Sequence, residues 1–173
     1  MSEGIIDAPR GRTQGVVLGL SAVAALLVVA CIALALLAKS QRDERSAFDG
    51  AREAALATGR QLILNLDALS AGTIDADMKR VADGATGTFK RQFTGSEPEL
   101  KKYVVGRKTV SAGQILSAGV VRSDSDTATV LVAVDRTVKD ITSKDGVVAH
   151  DRWRMDLEKH GGRWLVADLQ PVS

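Results

Sequence analysis

The chain has a single cysteine, Cys31, and only two histidines, His150 and His160, among its 173 residues. No disulfide can staple residues 39–173, and the clustered Cys and His ligands of a structural zinc site do not occur. There is no GxxxxGK[ST] loop and no GxGxxG turn after a strand, so nucleotide phosphates have no cradle. Asp75-x-Asp77 and Asp124-x-Asp126 begin like calcium loops but lack the later glycine and glutamate that close an EF-hand. They read instead as a helix start and a turn. An excess of one charge is missing too. Residues 39–173 carry 21 Lys and Arg against 19 Asp and Glu, interspersed, which suggests neither nucleic acid nor an anionic membrane surface as a partner. Internal repeats and low-complexity tracts are absent. These absences leave no catalytic, cofactor-binding or metal-binding residue to assign.

What is present begins with an apolar block. Gly15 to Ala38 contains no charge and no proline, with Ser21 as its polar side chain. As a helix these residues extend about 36 Å, more than the roughly 30 Å of bilayer hydrocarbon, so a tilted span fits. A cleaved secretory signal would have a shorter apolar region ending at a small-residue site before polar sequence. Arg10 and Arg12 supply a basic leader, and Val28-Val29-Ala30-Cys31 resembles a permissive lipobox. However, Ile32 to Ala38 stay apolar where a lipidated protein would start a polar tether, so the expected state is an uncut span with Cys31 at lipid depth. Gly15 and Gly19 form one GxxxG, a helix-packing face. Orientation stays open on charge: Arg10 and Arg12 precede the span, and Lys39, Arg42 and Arg45 follow it. The domains read as a leader at 1–14, a transmembrane helix at 15–38, a polar stalk at 39–47 and an α+β domain at 48–173.

Within that domain, Ser40 to Leu69 lacks proline, and Phe48, Ala51, Ala55, Leu62, Leu66 and Leu69 recur near helical spacing. Ser70-Ala71-Gly72 reads as its end. Thr73 is the expected N-cap of a second helix, with Asp75 and Asp77 in the first turn. Its stripe runs through Met78, Val81, Ala82, Ala85 and Phe89 to Phe93, with Gly84 and Gly87 as places to divide it. Ser96 and Glu99 at capping-box spacing, with Pro98 in the first turn, predict a third helix ending at Gly106. From Lys108 the pattern alternates with period two. Ala128, Val130, Val132 and Val134 oppose Thr129, Leu131, Ala133 and Asp135, while Trp153, Met155 and Leu157 oppose Arg152, Arg154, Asp156 and Glu158. Turn sequences separate four strands at 108–122, 127–141, 147–159 and 163–171, with a kink or bulge expected at Ala112-Gly113 or Ala118-Gly119. About three helices packed on a curved four-stranded antiparallel sheet form an α+β cone with a pocket at its mouth. Asp135, Asp168 and the lone Tyr103 are the candidates for acid or base chemistry there, because burial raises a carboxyl pKa toward that of a catalytic base. A carboxylate without a placed partner specifies no reaction, and each has a plain structural role as the alternative. Trp153, Met155 and Trp164 read as core, pocket wall or a partner-binding face.

Some local residues carry a resemblance. The order of a basic leader, one span and a helix with Gly59-Arg60-Gln61-Leu62, then Thr73-Ile74-Asp75 and Ala85-Thr86-Gly87-x-Phe89-x-x-x-Phe93, resembles the Mce-associated membrane proteins of actinobacteria. Gly162-Arg163-Trp164-Leu165-Val166 suits their last strand. Many members carry a Tyr-rich turn where this chain has Asp67-Ala68-Leu69-Ser70-Ala71-Gly72. The resemblance extends over essentially the whole chain and implies a cystatin-like cone fold, related in shape to ketosteroid isomerase and to the periplasmic assembly subunit of type IV secretion systems. It further implies a cytoplasmic N-terminus, an exported domain and an accessory role to Mce transporters, which move lipids, fatty acids or sterols across the cell envelope. The partners it implies are Mce transporter subunits or other membrane proteins. An anchored domain holding a lipid in its cavity is the alternative, and a ketosteroid-isomerase-like enzyme is a further one. It supplies no catalytic motif.

Overall fold

The computed structural model describes residues 48–172, together with Leu34 and Lys39. The expected leader and Cys31 lie outside the described residues, as do the span apart from Leu34 and the stalk apart from Lys39. Among the described residues, no helix is long and apolar enough to cross a membrane.

Helix α1 occupies residues 48–67. Ala55, Gly59, Leu62 and Ile63 face inward at three- and four-residue spacing, and Leu62 and Ile63 are at most 2% exposed. Burying each such side chain contributes about 1.5–3 kcal/mol. Helix α2, Ile74–Asp83, starts where the sequence placed it, with Thr73 at the N-cap, but the Thr73 side chain accepts no backbone N–H of the first turn. Its hydroxyl donates instead to Asp77 Oδ2 at 2.8 Å, and the Ser70 N–H donates to the same oxygen at 3.0 Å. Arg80 pairs with the other carboxylate oxygen. Asp77, 1% exposed, is thus the interior tie that closes the α1–α2 connection.

The stripe expected to run to Phe93 is interrupted earlier, and the helix expected at Ser96 does not start there. Residues 84–86 leave helical geometry to bridge Val166 in parallel, with Thr86 N–H donating to the Val166 carbonyl at 2.8 Å and Val166 N–H to the Gly84 carbonyl at 3.0 Å. Gly87 turns the chain at φ +51° and lies so close to Ala167 that a Cβ would meet its carbonyl oxygen at 3.1 Å; only glycine suits both conditions. Ala85-Thr86-Gly87 is therefore the joint between two helices. Helix α3 then runs unbroken from Gly87 to Arg107 through Pro98. Proline inside a helix costs about 3 kcal/mol, but Pro98 is exposed and the inward row Phe89, Phe93, Leu100, Val104 is continuous across it. Ser96 caps nothing; its hydroxyl donates to the Phe93 carbonyl at 2.9 Å. The helix ends one residue beyond Gly106, with Lys108 in the left-handed C-cap conformation at φ 53°.

Strands β1 (Val110–Ser123), β2 (Thr127–Lys139), β3 (Val147–His160) and β4 (Arg163–Pro171) form one antiparallel sheet in sequence order. One face is covered by the helices: Val130, Val132, Val134, Met155, Leu157 and Val166 are all at most 2% exposed. No helix or strand among the described residues covers the other face. The irregularities of β1 fall between Ile115 and Ser117 and between Val120 and Arg122, not at either expected glycine pair. Gly113 stays in register opposite Arg136 because the close approach of α1 requires it there.

Candidate functional site

Three charged side chains interrupt the covered face at one end. Asp67 follows Ile63 by one helical turn on the inward side of α1, and Arg136 follows Val134 by two residues on β2. Asp151 precedes Trp153 by two on β3. Continuing each apolar row therefore brings these residues together. Asp67 Oδ1 lies 3.5 Å from Arg136 Nε, and Arg136 Nη2 lies 3.1 Å from Asp151 Oδ2. The Asp67 side chain is 3% exposed, and its second oxygen is buried with no partner among the described residues. A Cβ at Gly113 would stand 2.6 Å from Asp67 Cβ and 2.7 Å from Oδ2, so Gly113 is the floor on which this carboxylate rests.

Two carboxylates share one guanidinium here. Burial pushes the Asp67 carboxyl up to about 6, with Arg136 pulling it down and Asp151 adding to the rise. Between pH 4 and 6 the folded chain then holds a proton that the unfolded chain has lost, so stability falls as pH rises. Two pKa units correspond to about 3 kcal/mol, fully present below pH 4 and lost as pH passes 6. Other carboxylates act in the opposite direction. Asp140 is held well below the usual carboxylate range by bonds from Thr142 and Arg107, Asp83 is lowered by Lys79, and Asp124 by Thr127 and Asp126. Their stabilisation is lost in acid, which places the optimum between the two regimes.

The residues singled out for acid or base chemistry lie elsewhere. Asp135 pairs in register with His150, and Asp168 with Asp156; both pairs lie on the open face. His150 Nδ1 is 2.6 Å from Asp135 Oδ1, and Gln170 donates to Asp168 at 2.6 Å. Tyr103 is exposed on α3 beneath the Arg107 guanidinium, 5.4 Å from the ring centroid. The enzyme-like geometry, a carboxylate facing a pocket beneath the helices, is not made by either aspartate. Leu62, Ile63, Met155 and Leu157 fill the covered face instead. Trp153 does belong to that face, two residues from Asp151, and its buried Nε1 has no partner among the described residues.

The open face carries apolar surface. Ser117, Gly119 and Ala133 form a low floor, bordered by Leu131, Val172 and Arg152, around a depression of about 270 Å³. Leu131 is 41% exposed, Val172 40%, and Leu116, extruded at the first irregularity of β1, 59%. Sequence parity had placed Leu131 on the polar side of β2. It did not show that Leu116 and Val172 would join it there.

Among known proteins, Rv1363c of Mycobacterium tuberculosis is 29% identical over 125 residues, a match covering 70% of this chain and 47% of that relative. The chain thus spans about half the length of Rv1363c. The outer membrane protein Rv1973 of the same species is 28% identical over 133 residues, covering 72% of this chain and 82% of the relative. In fold, the chain is similar to the periplasmic domain of DotI, with a TM-score of 0.57 at 9% identity over 68% of this chain and 91% of that one. An IcmL-like type IV secretion system protein from Legionella pneumophila gives 0.56 at 11% identity over the same shares. The family model described as uncharacterized protein Rv1363c/MT1408-like matches residues 16–170, and the chain belongs to that family.

Proposed function

We propose that the chain is a non-enzymatic accessory protein of the cell envelope, anchored by the Gly15–Ala38 span with a cytoplasmic N-terminus, which stabilises or assembles an Mce-type lipid or sterol import complex. The observation that carries this reading is the open face of the sheet, where Leu131 and Val172 remain exposed around a small-residue floor and Leu116 is exposed at an adjoining hollow that shares Ala133 and Arg152 with it. Scattered exposed apolar side chains are ordinary, but a grouped patch with a polar rim is a mark of protein contact. Arg152 borders both hollows, and Asp135 and His150 border the one beside Leu116. The name of Rv1973 and the periplasmic origin of the DotI fold support an envelope location, and the sequence motifs support the Mce assignment. A weak contact suffices because the anchor holds the domain beside its partner at high effective concentration.

Deletion of the gene is expected to lower uptake of a labelled fatty acid or sterol, or the steady-state level of Mce subunits. Leu131→Glu at normal chain level should reproduce that loss. Unchanged uptake together with unchanged subunit levels in the deletion strain sinks the proposal.

A further inference from the structure

A second surface lies at the edge of the sheet, between α1 and β4. Thr58, Gln61 and Asn65 stand on one side of α1 at helical spacing and face Arg163, Trp164 and Leu165 of β4 across a groove of about 340 Å³. The Gln61 Nε2 donates to Asn65 Oδ1 at 2.9 Å, which leaves the Gln61 carbonyl oxygen and the Asn65 amide nitrogen available as an acceptor and a donor on the same wall. The β4 edge supplies another such pair. Val166 turns its N–H and C=O outward, to the Gly84 carbonyl and the Thr86 N–H. Backbone groups alternate along a strand, so those of Trp164 point to the same edge. The opposite strand agrees: Lys159, paired with Trp164, sends its N–H away from β4 to the Asp126 carbonyl at 2.8 Å. The Trp164 N–H and C=O have no partner among the described residues. The parallel segment that covers Val166 cannot extend to them because residues 74–83 before it are helical.

We infer that this groove binds an extended peptide segment of a partner protein, which adds to the β4 edge at Trp164 while its outer backbone groups bond to Gln61 and Asn65. Strand addition takes its affinity from main-chain hydrogen bonds and its specificity from the side-chain surroundings. A carboxamide pair both donates and accepts, as a peptide backbone does. The rim selects for charge. Arg163 lines the groove, and Lys159 lies over the Trp164 ring at 5.8 Å; the carboxylate that feels Arg163, Asp83, stands outside the groove lining and is already bonded to Lys79. The partner segment is therefore acidic. The inference concerns a surface other than the open face and does not rest on the Mce reading; loss of peptide binding would leave the uptake experiment as it stands.

The test uses the purified full-length chain and the capped peptide Ac-Ser-Ala-Asp-Val-Ser-NH2, with N-methylated versions at each amide and a version with Lys in place of Asp. The expected result is saturable binding, with hydrogen exchange at the Trp164 amide slowed by peptide. Binding should weaken at least tenfold on N-methylation of one interior amide, in the Gln61→Ala, Asn65→Ala double variant, and on the Asp-to-Lys change. Gln61 is exposed and Asn65 half-buried, and an unchanged denaturation midpoint verifies the fold. The inference is overturned if no saturable binding is found up to millimolar peptide, or if binding ignores N-methylation and the double variant. It is also overturned if the Trp164 amide is already protected without peptide. Protection independent of protein concentration would assign the groove to a segment of this chain, and concentration-dependent protection to a second copy.

Discussion

Arg136→Met is expected to destabilise the fold by about 3 kcal/mol at pH 7.5 and by about 1 kcal/mol at pH 4.5. Removing one member of a buried ion pair leaves the other charged without compensation, which costs about 3–5 kcal/mol when both are fully buried. Here the partners differ: Asp67 is 3% exposed, whereas the Arg136 side chain is 36% exposed, so the lower end applies. The pH dependence follows from Asp67. Its carboxyl is already raised to about 6 with the guanidinium beside it, and losing that positive charge raises it further. At pH 4.5 the residue is protonated and the missing cation matters little. At pH 7.5 an anion is stranded between α1 and the sheet. Urea denaturation of wild type, Arg136→Met, Asp67→Asn and the double variant at both pH values measures this directly. Asp67→Asn should flatten the wild-type decline between the two pH values and abolish most of the cost of Arg136→Met. Equal cost at both pH values would mean that Asp67 is not the group being stabilised.

The second large effect comes from a methyl group. Gly113→Ala places a Cβ 2.6 Å from Asp67 Cβ, and neither side can give way easily. Asp67 ends α1, and the chain after it is pinned to β1 by Ser111 N–H donating to the Leu69 carbonyl at 3.1 Å and Ala71 N–H to the Thr109 carbonyl at 2.9 Å. Overpacking of this kind typically costs about 1–3 kcal/mol, and the contact here lies with a Cβ rather than with the end of a long side chain, so a loss of at least 2 kcal/mol is expected. Gly95→Ala, in the exposed middle of α3 with nothing within 4 Å of the added atom, should go the other way by about 0.5–1 kcal/mol. Chemical denaturation midpoints of the two variants test both signs, and a neutral Gly113→Ala would contradict the close approach of α1 to β1.

Most of the layer arrangement was legible because it depends on periodicity. The strand sequences 127–139 and 147–160 alternate cleanly, and their turns carry the expected small and polar residues, so the antiparallel order followed. The divisions of the helical half were less legible because they depend on contacts distant in sequence. Val166 draws residues 84–86 out of helical geometry, and the row from Phe89 to Val104 carries α3 through Pro98. The charged cluster was present in the same periodicity. Asp67 continues the row of Leu62 and Ile63, Arg136 continues Val134, and Asp151 precedes Trp153, yet each lies at the end of an apolar row where a charged residue reads as solvated. Asp135 stands out in the sequence because it interrupts a strand, yet its alternation with Val134 already puts it on the open face. The outward direction of the Trp164 backbone follows from the hairpin register that pairs His160 with Arg163, but nothing in the sequence marks these groups as uncovered, since that depends on residues 84–86 stopping at Val166.

Protein contact at the open face, on which the proposed envelope role depends, can be read in living cells from a photo-crosslinking amino acid placed at Leu131. After irradiation, adducts with Mce transporter subunits in the native membrane are expected, and none from the same group placed at Gln92 on the exposed side of α3. Adducts with lipid alone, or no protein adduct at Leu131 from a chain that is folded and present at normal level, would contradict that contact.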